Sequence, residues 1–232
     1  MDCRPETGYT TLYDGATTGW SQAGPGGFTN SDNTLTSSGG LGLYWYSAKQ
    51  YTSYSLKLDW MMPGDDNSGV FIGFPPSNDP WSAVDNGYEI QIDATDGPAH
   101  TTGAVYGFKA PDAAARDAAL NPPGEWNEYE LLVEGERLRI YLNGVLVNDF
   151  TNTDPARSLA GHIGLQNHGT GDDVSFRNIR IKELGERASR PSRPSRSARR
   201  AGCSRSPRRA RTTARPSGTS IPATGPPTTA ST

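Results

Sequence analysis

The stretch EYELLVEGERLRIYLNGVLVNDFT, residues 128–151, reads as three short strands in succession: EYELLVEG, RLRIYLNG and VLVNDFT. The second junction is Asn143-Gly144. This pair is the strongest short hairpin signal, because a type I′ turn needs positive φ at both central residues. Such a meander predicts antiparallel sheet, and the pattern spreads outward from it. In YSLKLDWMM (54–62), Tyr54, Leu56, Leu58, Trp60 and Met62 fall on one face, with Ser55, Lys57 and Asp59 on the other. GVFIGFP (69–75) keeps Val70, Ile72 and Phe74 in step, and GYEIQIDA (87–94) sets Tyr88, Ile90 and Ile92 against Glu89, Gln91 and Asp93. GHIGLQNHG (161–169) sets Ile163 and Leu165 against His162, Gln166 and His168. Period-2 alternation is what a strand with one buried face requires.

Further strands are expected at 8–15, 41–48, 103–110 and 174–184, with a hairpin over 27–39 turning at Asp32-Asn33. PDAAARDAAL (111–120), opening on Pro-Asp, is the one helical candidate. About eleven half-apolar strands must bury their apolar faces against each other. The expected fold is therefore all-β: a two-sheet antiparallel β-sandwich with one short helix, a closed barrel being the rival. The polar rows on Lys57/Asp59, Glu89/Gln91/Asp93 and His162/Gln166/His168 favour a sandwich with one concave, solvated face. Trp45, Trp60 and Trp126, on or beside strand patterns, are expected in the core.

The charge divides the 232 residues into two unlike parts. Residues 1–184 carry 11 Lys and Arg against 24 Asp and Glu, a net −13; residues 185–232 carry 11 Arg and one acid, a net +10. From Gly185 on there is no periodicity and little apolar surface, which predicts a disordered basic tail. Its charge would attract nucleic acid or acidic surfaces without specificity. The expected organisation is an unstructured N-terminus (1–7), a β-sandwich domain (8–184) and the tail (185–232). Cys3 and Cys203 offer neither a disulfide framework nor zinc spacing. No apolar run is long enough to span a membrane. MDCRPETGY lacks the pattern of a signal peptide. The chain nonetheless reads as a monomeric module of a larger secreted or cell-envelope protein.

LYDGATTGW (12–20), NSGVFIGFP (67–75), NGYEIQIDA (86–94), GAVYGF (103–108), PPGEWNEYELLVEGERLRIYLNGVLVNDF (122–150) and GHIGLQNHGTGDDVSFRNIRIKEL (161–184) occur in this order. The ordered set resembles the 3-keto-disaccharide hydrolase domain family over about residues 8–184. The resemblance implies a concanavalin-like lectin/glucanase jelly roll and action on 3-keto-glycosides. A non-catalytic carbohydrate-binding module and a structural spacer are the alternatives, because fold alone does not license activity.

Glu89 and Asp93 share a strand face, but their Cα atoms would lie about 13 Å apart. A retaining glycosidase needs its carboxyls about 5–5.5 Å apart, so ordinary two-carboxylate hydrolysis is disfavoured. A 3-keto sugar needs less. Its ketone acidifies the C2–H, a base removes that proton, and the C1 substituent leaves; water then adds to the unsaturated sugar. The candidate catalytic residues are Glu89, His168 and Gln91. Asn67, Trp81, Gln166 and Asp93 are candidate substrate-binding residues, Trp81 as a loop aromatic for a sugar ring. His162, at the strand start, is expected to be structural. The acidic turns GDDNSG (64–69) and GTGDDV (169–174) suit turn formation and, secondarily, a hard cation. No cofactor is fixed by the sequence; a divalent metal, Ca²⁺ or another, is a candidate.

Cutting the chain after Leu184 is expected to leave the melting transition of the domain nearly unchanged; a loss of many degrees would mean that the tail packs on it.

Overall fold

The computed structural model describes residues 6–185. The expectations for Cys3, Cys203, the first residues and the basic tail fall outside the described residues. In chain order the first strands are β1 (Thr10–Tyr13), β2 (Trp20–Ala23), β3 (Gly27–Ser31), β4 (Thr34–Ser38), β5 (Gly42–Tyr46), β6 (Tyr54–Met61) and β7 (Asn67–Phe74). After helix α1 (Trp81–Asn86) come β8 (Tyr88–Asp93), helix α2 (Ala113–Ala119), β9 (Asn127–Glu134), β10 (Arg137–Leu142), β11 (Val145–Thr151), β12 (His162–Asn167) and β13 (Ser175–Glu183).

These strands form two antiparallel sheets. The larger has eight strands in the order β11-β10-β9-β6-β13-β4-β3, with β1 also on β13; the smaller runs β2-β5-β12-β7-β8. The sandwich expected from the alternation is the observed architecture. Leu56, Leu58, Trp60, Tyr129, Leu131, Val133 and Ile140 of the larger sheet meet Val70, Ile72, Tyr88, Ile90, Ile163 and Leu165 of the smaller in one core. Burying a side chain of this size contributes about 1.5–3 kcal/mol. Polar ties also link the sheets: the buried Tyr129 hydroxyl donates to the Gln91 carbonyl at 2.7 Å, and the Asn167 amide donates to the Gly27 and Ser38 carbonyls.

Both expected turns form. Asp32 and Asn33 have φ of 50° and 60°, and Asn143 and Gly144 have 49° and 82°. The helix over 111–120 is present as α2, where Asp112 accepts a hydrogen bond from the Ala115 N–H at 2.9 Å.

Three expectations are corrected. First, GAVYGFKA (103–110) is not a regular strand. Gly103 and Gly107 adopt φ of 84° and 72°, and Val105 closes a turn back to Lys109. The segment instead lies along the free edge of β8. Gly103 N donates to Gln91 O, Gln91 N to Ala104 O, and Tyr106 N to Glu89 O. An open sheet edge is thereby covered. Second, the polar rows do not share one solvated face. Lys57 and Asp59 lie on β6 in the larger sheet, whereas Glu89, Gln91 and Asp93 lie on β8 in the smaller one and are all buried. Part of the outer face of the small sheet is covered, because α1 packs there with Ala23, Leu43, Trp45, Phe71 and Phe74. Third, Trp126 is not core: it is half-buried, with the Arg177 guanidinium 3.8 Å above its ring.

Gly144 has open space where a Cβ would stand. The cost of Gly144→Val should therefore be backbone strain alone, about 1–2 kcal/mol, read as a lower urea midpoint; an unchanged midpoint would contradict the turn geometry.

Candidate functional site

The site lies on the outer face of the small sheet. Tyr88, Ile90 and Ile92 enter the core, so alternation projects Glu89, Gln91 and Asp93 the other way. Beside them, Asn67 stands at the start of β7 opposite Asp93, and Gly69 opposite Gln91. β12 adds Gln166, and His168 follows one residue past its end. Glu89, Gln91, Asn67, Gln166 and His168 line one cavity of about 320 Å³, with Trp81, Tyr106, Leu41 and Val84 completing its wall. The sequence candidates Glu89, Gln91, Asn67, Trp81, Gln166 and His168 are thus brought together.

The floor is buried and polar. Glu89, Gln91 and Gln166 are each buried. Asn67 Oδ1, Glu89 Oε1, both amide atoms of Gln91 and Gln166 Oε1 have no hydrogen-bond partner among the described residues. Buried polar groups in proteins are almost always paired, so this concentration in one cavity sets it apart. Glu89 lies across Gly69: a Cβ at residue 69 would stand 2.4 Å from Glu89 Oε1. Burial pushes the Glu89 carboxyl from its usual 4.5 up to about 8, with the Gln166 side chain the one group pulling it down. Its proton is therefore retained at neutral pH.

The rim is different. The His168 side chain is half exposed, and its Nδ1 lies 2.9 Å from Asp172 Oδ2. Trp81 and Tyr106 are the exposed aromatics of the rim. The two acidic turns latch each other. Asp172 Oδ1 accepts from Asn67 N at 3.0 Å, and Asp66 Oδ1 accepts from Asp173 N at 3.1 Å. Both oxygens of Asp66 and one oxygen of Asp172 are thus held by backbone N–H groups, as in turn formers. Among the described residues no three His, Cys, Asp or Glu side chains converge as a metal site.

Asp93 stands apart from the other candidates. One of its oxygens takes the Asn67 amide at 2.8 Å and the other takes the N–H groups of Thr95 and Asp96. It orients Asn67 and caps a turn, and it does not line the cavity. His162, expected to be structural but in a solvated polar row, is buried, with Nδ1 on the Tyr46 carbonyl and Nε2 beside Gln50. A second cleft of about 370 Å³ near Gln50 and Arg157 lacks comparable groups, because Arg157 is bound to the carbonyls of Val84 and Gly87.

Trp81 sits on a six-residue helix, where the sequence suggested a loop. The Asp79-Pro80 pair before it was a usable start signal, since Asp79 accepts from Trp81 N. Tyr106 was hidden by the strand expected at 103–110. Asp172 was visible only as part of an acidic turn.

A two-sheet antiparallel sandwich with a buried polar cavity on the outer face of its smaller sheet defines the class of β-sandwich proteins to which this chain belongs. The chain belongs to the family described as the 3-keto-alpha-glucoside-1,2-lyase-like domain, which matches residues 8–182. Among solved structures, a proposed glycosyl hydrolase from Parabacteroides distasonis is 23% identical, with a TM-score of 0.65 over 76% of this chain and 94% of that one. A second structure of that description from the same organism is 24% identical, with a TM-score of 0.63 over 76% and 99%. The carbohydrate-binding module CBM66 from Bacillus subtilis is 17% identical, with a TM-score of 0.50 over 72% and 96%. At these identities the likeness is one of fold. No curated protein sequence matches the chain. Among the described residues no helix is long and apolar enough to cross a membrane.

The raised Glu89 carboxyl has a consequence for stability. Below pH 4.5 the group is protonated in both folded and unfolded chains. Between 4.5 and about 8 the unfolded chain releases the proton first, so folding loses stability as pH rises through this window. Glu89→Gln removes that titration. Relative to wild type, the variant is expected to gain in urea midpoint from about pH 5 to about pH 9; a difference independent of pH would place the carboxyl in water.

Proposed function

We propose that the domain cleaves 3-keto-glycosides, 3-keto-disaccharides among them, by C2 proton abstraction, elimination at C1 and hydration. The observation that carries this reading is the convergence of Glu89, Gln91, Asn67 and Gln166, with unpartnered buried polar atoms, beneath a half-exposed histidine. The family membership supports the substrate class.

The His168 imidazole takes the C2 proton. The C–H electron pair forms the C2–C3 double bond, and charge moves to the ketone oxygen. Glu89, protonated at neutral pH because of its burial, donates a hydrogen bond to that oxygen, and the Gln91 amide adds a second. A carboxylic acid kept neutral in an apolar site is a known way to stabilise an enolate. The enolate then reforms the ketone, the C1–O bond breaks, and the leaving oxygen takes the proton from the imidazolium. Water adds across C1=C2, hydroxyl to C1 and proton to C2, so the net reaction consumes one water. The opposite assignment, with Glu89 as base, requires its ionised form and a pH near 8 or above. Asn67 and Gln166 bind sugar hydroxyls, and Trp81 and Tyr106 flank the ring. The Asp93 carboxylate, already committed to a turn, supplies no second acid.

The second reading is a non-catalytic carbohydrate-binding module using the same cavity, supported by the exposed aromatics at its rim. As a further part of the proposal, the domain acts as a monomeric module of a secreted or cell-envelope protein.

Incubation of the purified domain with 3-keto-trehalose, 3-keto-lactose and the unoxidised parents separates the readings. Turnover of the keto sugars alone, with deuterium entering C2 from deuterium oxide, is expected. His168→Ala should lower turnover by about 10²-fold or more, the scale of losing a general acid or base, and Glu89→Leu, which removes the donor to the enolate oxygen, should cost a similar factor. Neither residue fills the core, so folding should survive. Saturable binding with no turnover would establish the binding-module reading, and wild-type turnover in both variants would move the site elsewhere.

A further inference from the structure

Resting on that reading of the site, we infer that Asp172 is a positioning residue for the reaction: it fixes the His168 ring in the tautomer that turns the Nε2 lone pair to the substrate. The carboxylate approaches Nδ1 at 2.9 Å. An ionised carboxylate only accepts hydrogen bonds. The neutral imidazole facing it must therefore carry its proton on Nδ1, which leaves Nε2 as the basic nitrogen. Among the described residues Nε2 has no partner, and the ring lies at the cavity rim.

Asp172 is itself held from several sides. Its second oxygen accepts the Asn67 N–H, which anchors it to the first residue of β7. Its carbonyl accepts the Ser37 hydroxyl at 2.5 Å, and the next residue, Asp173, is latched to Asp66. The intervening turn makes the approach feasible. Gly171 adopts φ of +99°, and a Cβ on Gly169 would stand 3.2 Å from Asp172 Oδ2. One carboxylate thus connects the base on β12's end to the strand that supplies Asn67 and Gly69. It also stabilises the imidazolium that forms once the C2 proton is taken. Histidine–carboxylate pairs elsewhere act in this way, setting tautomer and orientation without themselves becoming protonated.

The test is Asp172→Asn. The amide oxygen can still accept from Asn67 N, which preserves the turn, while the amide N–H faces Nδ1 and forces the proton to Nε2. Imidazole ¹⁵N NMR on the free protein is expected to show His168 as the Nδ1–H form in wild type and as the Nε2–H form in the variant. On 3-keto-trehalose, kcat should fall about 10²-fold or more while KM changes little. In a His168→Ala background the same substitution should cost nothing further, because the two residues act as one unit. An Nε2–H form in wild type, a full kcat in Asp172→Asn, or an equal loss in the His168→Ala background would each overturn the assignment. The spectrum needs no turnover. An inert wild type would therefore overturn the proposed activity, while the tautomer would still decide the role of Asp172.

Discussion

A strand cannot bury one row of side chains without projecting the other, and in β8 this constraint creates the site. Tyr88, Ile90 and Ile92 are needed between the sheets. Glu89, Gln91 and Asp93 must then point outward, where a polar row normally meets water. Here it does not. α1 covers one part of that face, and residues 101–106 run along the β8 edge. Three polar residues are left buried by the demands of the core on their neighbours. Everything distinctive about the cavity follows from that, including the raised Glu89 carboxyl.

Small residues divide the covered face. Gly69 gives Glu89 room to lie across β7, and Gly164 lets Leu43, Trp45 and Phe74 close together. The apolar half packs under α1 as an ordinary cluster. The polar half remains open as the cavity. A side chain at residue 69 would force the carboxyl away, since the contact would be with its Oε1, Cγ and Cδ. The glycine acts here by its lack of a Cβ, with no need for unusual φ.

How much of this the sequence disclosed depended on range. Alternation identified the strands that carry the core, and local chemistry identified the Asp32-Asn33 and Asn143-Gly144 turns and the Asp112 cap. The candidates Glu89, Gln91 and His168 were also legible, because each lies opposite a row that must go inward. What failed was non-local. α1 has six residues, too few for a helical period to appear. Residues 103–110 have strand-like composition, but their hydrogen bonds go to β8 through two glycines at positive φ. The Lys57/Asp59 row was grouped with the site because period alone cannot say which sheet a strand joins. The Asp172–His168 pair, four residues apart across a glycine-bearing turn, depends on backbone angles that no pattern encodes.

The energetics of the floor bear on what the cavity is for. Each buried polar group left without a partner costs about 1–3 kcal/mol relative to a paired one. Asn67, Glu89, Gln91 and Gln166 turn atoms without a protein partner into one cavity, where water or a ligand must supply the hydrogen bonds. Beside the cavity Asp93 is fully paired, one oxygen taking the Asn67 amide and the other the N–H groups of Thr95 and Asp96. The cavity gathers five such atoms on four neighbouring residues, and a ligand dense in hydroxyl and carbonyl groups would satisfy them. A sugar does so with donors and acceptors together, which matches a floor offering amide N–H, amide C=O and a neutral carboxyl at once. An anionic ligand would match only the donors and would meet the Glu89 carboxyl at the pH where it ionises. The mixed donors and acceptors of the floor thus accord with the carbohydrate-related family to which the chain belongs.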